Sequence, residues 1–184
     1  MTINLEQIYA GLKAWRHERG ITAESQKAGY LVNVMEEFGE LATALREYER
    51  FSKPSYPYPK NKKYAEHGII DALCDIAIFT INAGADIRDE YKPLSIDTTN
   101  TFSDLNCLLL YTSTFDFKKI LLNCAVLCEN YGFNFEIAML ETIKEISSRT
   151  GAYDEKAKKW VKDESNEARA KWYQADYEKA RIEK

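Results

Sequence analysis

Hydrophobic residues recur at helical spacing along most of this chain. Leu5, Ile8 and Leu12 are three or four residues apart, which places them on one face of an α-helix. Such patterns predict helices over residues 3–19, 64–87, 102–111, 116–131 and 134–149. A further helix is predicted to begin at one of two cap candidates, Thr22 or Ser25, and to end at residue 51. Gly132 and Asn134 separate the helices at 116–131 and 134–149, as a typical helix stop followed by a typical N-cap. The pattern therefore predicts an all-α helical bundle.

The second and third predicted helices differ in how their hydrophobic residues are distributed. The second is amphipathic, with one apolar stripe made of Leu31, Val34, Met35, Phe38, Leu41, Ala42 and Leu45. The third is apolar on nearly every side, so we expect it to be the most buried helix. Pro54, Pro57 and Pro59 predict a loop between the two, because proline lacks the backbone N–H that a helix interior needs. Residues 88–101 contain Pro93 and are predicted to be a connection.

The C-terminal segment, residues 151–184, is rich in Lys, Asp, Glu, Trp and Tyr and poor in aliphatic residues. Ser165 is a candidate N-cap for a final amphipathic helix that carries Ala168, Trp172 and Ala175 on one side. No interdomain linker precedes this segment. We therefore predict one domain, made of a helical bundle over residues 1–150 and a C-terminal helical arm over residues 151–184.

Composition and charge narrow the range of partners. The chain has 184 residues, 45% of them hydrophobic, and a net charge of only −4. This balance gives no basic surface for nucleic acid, so an anionic ligand would need a metal ion or a few well-placed Lys and Arg residues. The N-terminus has no apolar signal-peptide core, and no segment reaches the ~18 apolar residues of a membrane span. We expect a cytoplasmic protein without a membrane partner.

The cysteines do not indicate a metal or redox site. They are Cys74, Cys107, Cys124 and Cys128, and no two form a Cys-x-x-Cys pair. Only His17 and His67 are available to complete a zinc site, which normally needs four Cys or His ligands. Buried free thiols are the simplest interpretation.

Acidic residues on two otherwise apolar helices are the main candidates for chemistry. Glu36, Glu37 and Glu40 are neighbours on the second helix, where like charges at this spacing repel one another. Asp71 and Asp75 are one turn apart inside the apolar third helix, and a carboxylate there is costly to bury without a positive partner. A solvated helix face would explain the three glutamates, but it explains the two aspartates poorly.

Packing of the two helices in antiparallel orientation would bring both acidic groups to one cavity. Oxygen ligands without His or Cys favour hard cations, so Mg²⁺ or Mn²⁺ is expected. Asn82 continues the acidic face of the third helix, and Asn33 lies one turn before Glu37. Magnesium in proteins usually accompanies a phosphate-bearing substrate.

A di-iron carboxylate bundle is the competing interpretation, because such bundles also carry glutamates inside helices. They require a Glu-x-x-His motif on two helices. Here Ala14 stands three residues before His17, and Tyr64 stands three residues before His67. The motif is therefore missing at both histidines.

The stretches VMEEFGELATALRE and IIDALCDIAIFTINA resemble the EExxE…ExxD signature of the all-α NTP pyrophosphohydrolases, which include MazG-like proteins and dimeric dUTPase-like enzymes. The later stretches EISSRTG and KKWVKDESNEARAKWYQADY resemble the C-terminal part of phage-type MazG-like members. The resemblance covers about half of the chain. In one respect the chain departs from the signature, because Gly68 stands where the Glu of ExxD is expected.

The resemblance implies a nucleotide pyrophosphohydrolase that uses Mg²⁺ to activate a water molecule. That water attacks phosphorus and breaks the α–β bond of a nucleoside or deoxynucleoside triphosphate, giving a monophosphate and pyrophosphate. Glu37, Glu40 and Asp71 match the catalytic acids, and Glu36 and Asp75 extend the metal-ligand set. Family members assemble as dimers or tetramers, so a homodimer or homotetramer is expected. Compensation for Gly68 would come from Asp75, from Glu36, or from Glu66 reaching into the site.

Basic and aromatic residues are weaker candidates for substrate binding. Lys60 and Lys63 precede the third helix, where a role with phosphates competes with simple solvation. In the C-terminal segment the candidates are Arg149, Lys159, Trp160, Lys162 and Lys171. Together with Trp172 and Tyr173 they would either close over a nucleotide or pack the arm onto the bundle.

Two other classes of function remain as alternatives. The first is a nucleotide-binding or regulatory protein that keeps the fold and has lost turnover together with the motif Glu. The second is a helical interaction module without a metal. Metal-dependent product formation would indicate the enzyme, and metal-dependent binding without products would indicate the nucleotide-binding protein. An interaction module would show no response to metal.

Overall fold

Helices occupy the segments where hydrophobic residues recur at helical spacing, and the fold is predominantly α-helical as predicted. The computed structural model describes residues 5–53, 55–56, 58–86, 101–154, 156 and 159–183, without the side chains of residues 59, 101–104 and 159. The predicted connection at 88–101 therefore lies almost entirely outside the described residues. The main helices are α1 Leu5–Glu18, α2 Ala23–Phe51, α3 Pro59–Asn82, α4 Thr101–Ser113, α5 Phe117–Asn130 and α6 Phe135–Ser148.

Polar side chains cap three of these helices at their N-termini. The side chains of Thr22, Asp116 and Asn134 accept hydrogen bonds from backbone N–H groups in the first turns of α2, α5 and α6. Each cap satisfies a donor that has no partner within its helix. The first and last of these caps are at positions that the sequence predicts.

Helix α3 begins and ends earlier than predicted. It begins at Pro59, not Tyr64, because proline is tolerated in the first turn, where its missing N–H is not needed. It ends at Asn82, not residue 87, and Gly84 follows with a φ of 112°, a conformation that terminates a helix.

Helix α3 is also the centre of the core, as predicted. Between Ile69 and Asn82 every residue is buried except Asp71, Asp75 and Phe79, which are half-buried. These three residues are spaced four apart and form one narrow stripe. The only accessible surface in this part of α3 is therefore a line that carries two carboxylates.

Helices α2 and α3 are antiparallel. Near the start of α2, the Tyr30 hydroxyl lies 3.1 Å from Oγ1 of Thr80 near the end of α3. Further along α2, Ala44 faces Gly68 in the first half of α3. The contacts thus advance along α2 as they go back along α3, which brings the acidic residues of both helices together.

The C-terminal segment differs from the prediction of a helical arm. Strands β1 (Gly151–Asp154) and β2 (Lys159–Lys162) form an antiparallel hairpin. A four-residue helix, α7 (Asn166–Arg169), begins at the predicted cap Ser165. A 3₁₀ turn, Tyr177–Ala180, completes the segment. The prediction is wrong because aromatic and β-branched residues at 153, 160 and 161 favour strands.

Two sequence expectations concern thiols and membranes. Cys74, Cys124 and Cys128 are buried free thiols, and Cys107 is half-buried. Within the described ranges, no helix has the length and apolar character needed to cross a membrane.

Candidate active site

The cleft between α2 and α3 collects acidic residues from both helices. It has a volume of about 750 Å³ and is lined by Glu36, Glu37, Gly39, Glu40, Thr43, Ala44, Glu47, Tyr64, Ala65, Gly68 and Asp71. Glu36 and Glu40 are exposed, whereas Glu37 and Asp71 are half-buried. The structure therefore places four of the five predicted acids in one cleft, and Asp75 follows Asp71 one turn along α3.

Burial and mutual repulsion raise the pKa values of three carboxyl groups at this cleft. Burial raises the pKa of Glu37 to about 7, and the charges of Glu40 and Asp71 add to the shift. Burial also raises the pKa of Asp71. For Asp75 the rise is larger, with burial first and the charges of Asp71 and Glu37 next. Carboxyl groups that oppose one another's ionisation mark a place where positive charge would be stabilised.

Arg149 supplies positive charge to this cluster. Its charge lowers the pKa values of Glu37, Asp71 and Asp75, against the effect of burial. The guanidinium group donates a hydrogen bond of 2.8 Å to Glu145, one turn earlier, and lies 5.9 Å from the ring centre of Trp172. Arg149 is thus a cationic group that acts on all three carboxyl groups.

Two residues at the cluster were not predicted from the sequence. Glu145 raises the pKa values of Asp71 and Asp75 through its charge. Its position four residues before Arg149 on one helix was a signal that could have been used. Tyr177 donates a hydrogen bond of 2.5 Å to Oδ1 of Asp71. No spacing rule connects Tyr177 to Asp71, because they are 106 positions apart in the chain.

The donor chemistry of the cleft fits a hard cation, although its side chains are not gathered around one point. All the acidic groups offer oxygen, the ligand atom that Mg²⁺ and Mn²⁺ prefer. Among the described residues, no three His, Cys, Asp or Glu side chains are arranged so that they could hold a metal ion as they stand. The oxygen ligand atoms and the three raised pKa values are the observations that fit a cation.

A second pocket lies next to the acidic cleft along α2. It has a volume of about 530 Å³ and is lined by Gly20, Ile21, Thr22, Ser25, Gln26, Asn33, Tyr153 and Trp160. Asn33 is four residues before Glu37, so the two positions are about 6 Å apart along the helix. Tyr153 and Trp160 are paired across the hairpin and form an aromatic wall. The structure thus brings predicted residues Asn33 and Trp160 together.

Arg19 fixes the position of Trp160. Its guanidinium carbon lies 4.9 Å from the ring centre of Trp160 and 5.2 Å from that of Trp15. The same side chain donates hydrogen bonds to the backbone oxygens of Ile146, Ser147 and Arg149. The hairpin is therefore attached to the end of α6 and to α1, and the aromatic wall has a defined place.

Several other predicted residues lie away from the cleft. Asn82 is buried, and its oxygen accepts a hydrogen bond of 2.5 Å from Arg16. Lys63 lies 3.5 Å from Glu178, outside the cleft lining. The exposed residues are Lys60, Lys162 and Lys171, and the side chain of Lys159 is outside the described residues. These positions do not support a direct role at the acidic cluster.

Trp172 and Tyr173 attach the C-terminal segment to α6. Tyr173 donates a short hydrogen bond from its hydroxyl to Glu141, and the ammonium of Lys144 lies 3.8 Å from its ring centre. Trp172 contacts the guanidinium of Arg149. Of the two interpretations of these aromatic residues, packing of the segment onto the bundle is the one that the structure shows.

Gly68 lies where α2 and α3 approach closely at the cleft. A Cβ atom added there would be 3.2 Å from Cβ of Ala44, so a side chain would crowd α2. Glu66, which would compensate by reaching into the cleft, instead accepts a hydrogen bond of 2.9 Å from Arg181. Asp75 and Glu36 remain the acids able to take the place of the missing motif residue.

Comparison with known proteins gives no match: no family model matches the chain, and no curated protein or solved structure is significantly similar to it.

Proposed function

We propose that this chain is a Mg²⁺-dependent nucleotide pyrophosphohydrolase that converts a nucleoside or deoxynucleoside triphosphate to the monophosphate and pyrophosphate. The observation that carries the proposal is the set of facing carboxyl groups of Glu37, Asp71 and Asp75, whose pKa values are all raised. Such a cluster is stabilised when a divalent cation binds, and a bound cation attracts phosphates. The EExxE…ExxD-like pattern selects this class among phosphate-binding enzymes.

The metal ligands in this proposal are Glu36, Glu37, Glu40, Asp71 and Asp75. A bound Mg²⁺ would lower the pKa of a water molecule and neutralise charge on the phosphates. Without a cation the pKa of Glu37 is about 7, so binding of a cation near neutral pH would release the Glu37 proton. Arg149 carries positive charge beside the same carboxylates, where it would contact a phosphate oxygen.

The second pocket supports a nucleotide over other phosphate compounds. Tyr153 and Trp160 offer aromatic surface for a base, and the amide of Asn33 offers both a hydrogen-bond donor and an acceptor. The pocket and the cleft share one stripe of α2, so one ligand would place its base in the pocket and its phosphates at the acids.

A pyrophosphate-release assay over a panel of NTPs and dNTPs, with Mg²⁺, Mn²⁺ or EDTA, tests the proposal. We expect metal-dependent pyrophosphate from a subset of the nucleotides. Glu40→Gln should abolish turnover with an unchanged helical circular dichroism signal. The matched control is Glu49→Gln, an exposed residue of the same helix outside the cleft lining, which should retain full activity. Wild-type activity of Glu40→Gln would rule out the assigned site.

A nucleotide-binding protein without turnover is the second candidate, and Gly68 is the observation that favours it. The motif acid is missing, and its neighbour Glu66 is bound to Arg181 instead of the cleft. This candidate predicts metal-dependent thermal stabilisation by nucleotides in the absence of any pyrophosphate. A chain that shows neither binding nor products would instead fit an interaction module.

A further inference from the structure

The C-terminal 3₁₀ turn brings a buried tyrosine hydroxyl to the acidic cluster. Tyr177 is only 4% exposed, and its hydroxyl lies between α3 and α6. It donates a hydrogen bond of 2.5 Å to Oδ1 of Asp71 and lies 3.0 Å from Oγ1 of Thr142. Thr142 in turn lies 3.0 Å from the backbone oxygen of Ala138. Each hydroxyl carries one proton, so when Tyr177 donates to Asp71 the Thr142 hydroxyl donates either to Tyr177 or to the backbone oxygen of Ala138.

The turn that carries Tyr177 is fastened to the bundle on both of its flanks. After the turn, Ile182 donates a backbone hydrogen bond of 2.8 Å to Gly132, and the last residue of the turn, Ala180, accepts one of 2.6 Å from Asn134. Within the turn, Glu178 contacts Nε2 of His67 at 2.7 Å. Before the turn, the backbone N–H of Ala175 donates a hydrogen bond of 2.8 Å to the carboxylate of Glu145. These contacts give the tyrosine ring little freedom to move away from Asp71.

Only one oxygen of Asp71 is used in this contact. Asp71 lines the cleft, and within the described part of the chain its second oxygen accepts no hydrogen bond. A hydrogen bond to a carboxylate fixes the rotation of the group as well as stabilising its charge. The contact thus leaves one oxygen of a fixed carboxylate for a ligand.

We infer that Tyr177 is a positioning residue, which orients the Asp71 carboxylate so that its second oxygen is available to a divalent cation in the cleft. The inference rests on the proposed function, because it takes Asp71 as a metal ligand. Groups that hold metal ligands in place change metal affinity about 10–100-fold when they are removed. It also makes the C-terminal segment a part of the site.

Tyr177→Phe tests this inference, because it removes the hydroxyl and keeps the ring. The chain offers a matched control in Tyr173→Phe. Tyr173 belongs to the same segment and also donates its hydroxyl to a carboxylate, but that carboxylate is Glu141, which does not line the cleft. Both variants lose one tyrosine–carboxylate hydrogen bond, and only one loses it at the proposed site.

The measurement is the affinity of the full chain for Mn²⁺ alone, by titration followed with electron paramagnetic resonance, alongside thermal melts without metal. We expect Tyr177→Phe to weaken Mn²⁺ binding at least tenfold and Tyr173→Phe to leave it unchanged, with melting temperatures lowered in both. Equal Mn²⁺ affinities in wild type and Tyr177→Phe would overturn the inference, whatever the melting temperatures. Mn²⁺ binding does not require catalysis. If the wild type releases no pyrophosphate but Tyr177→Phe still weakens Mn²⁺ binding tenfold, only the proposed pyrophosphohydrolase activity is refuted, and the role of Tyr177 stands.

Discussion

Glu37 is both half-buried and close to other carboxyl groups, and both properties raise its pKa. It is half-buried between α2 and α3, and it lies close enough to Glu40 and Asp71 for their charges to act on it. With a pKa of about 7, about half of the Glu37 side chains carry a proton at neutral pH in the absence of a cation. A divalent cation would favour the ionised form, so metal binding and proton release are coupled here.

The raised pKa of Glu37 predicts how the stability of the fold depends on pH. The folded chain holds the Glu37 proton up to about pH 7, whereas an unfolded chain releases it near the ordinary value of 4.5. Protonation therefore favours the folded state, and the free energy of unfolding in EDTA should fall as the pH rises from about 5 to about 7. Urea unfolding at half-unit pH steps measures this slope.

Two variants separate Glu37 from the other titrating groups. Glu37→Gln should flatten the slope and raise stability at pH 8, because an amide neither ionises nor repels Asp71. Glu49→Gln, on the exposed side of the same helix, should keep the wild-type slope. An unchanged slope in Glu37→Gln would show that its carboxyl group titrates normally.

The difference between predicted and unpredicted residues at the site has a physical origin. Glu37, Glu40, Asp71 and Asp75 could be found from sequence because helical spacing alone puts each pair on one face, and acids in an apolar helix are costly. Tyr177 could not be found, because a tertiary contact between distant segments brings it to Asp71. Residue spacing predicts neighbours within an element and does not predict contacts between elements.

At the scale of elements, regular periodicity and N-caps predict the helices, whereas nothing in the pattern predicts the hairpin. Helix α6 begins and ends within one residue of the prediction because Asn134 caps it and its apolar repeat is regular. Strands β1 and β2 have only four residues each, and β1 is exposed throughout. Such short strands carry too little alternation to be distinguished from a polar helix, so the sequence pattern does not predict them.

The α2–α3 contact gives a prediction at the scale of elements, through two glycines that face the cleft. Gly39 on α2 has no atom within 4 Å of an added Cβ, whereas at Gly68 that atom would lie 3.2 Å from Ala44. Alanine is favoured over glycine in a helix by about 1 kcal/mol. Gly39→Ala should therefore stabilise the chain by about that amount, and Gly68→Ala should gain clearly less or destabilise it.

Urea unfolding of the two alanine variants measures this difference, and Ala44→Gly supplies the control. Removing the Ala44 methyl group relieves the contact, so Gly68→Ala should be better tolerated in the Ala44→Gly background than in wild type. Equal gains from Gly39→Ala and Gly68→Ala would mean that α2 and α3 are not closely packed at this point.

For the whole molecule, the C-terminal segment ties the site to the rest of the bundle. It contacts α3 through the ion pair of Arg181 and Glu66 at 2.9 Å, and α6 through Tyr173 and Glu141. Arg149, at the end of α6, reaches the acidic cluster and the aromatic contacts of this segment. The acidic cluster therefore depends on three parts of the chain, α2, α3 and the region from α6 onward, being folded together.

One face of α2 is left without cover by the described residues. Leu31, Val32 and Met35 are 49%, 66% and 56% exposed, and Met35 directly precedes the acidic run. Exposed apolar side chains grouped beside a polar site are typical of protein interfaces. In the homodimer or homotetramer that the resemblance leads us to expect, a second copy would cover this face of α2 next to the cleft.

Light scattering of the wild type and of Val32→Glu tests the expected assembly. We expect the wild type to have the mass of a dimer or tetramer and the variant a smaller mass, because a buried unpaired carboxylate strongly destabilises an interface. Val161→Glu is the matched control, since Val161 is 43% exposed on the hairpin and should tolerate the charge. If the interface borders the cleft, Val32→Glu also loses pyrophosphate release while its helical signal stays intact. A monomeric wild type would show that one chain must form the site alone.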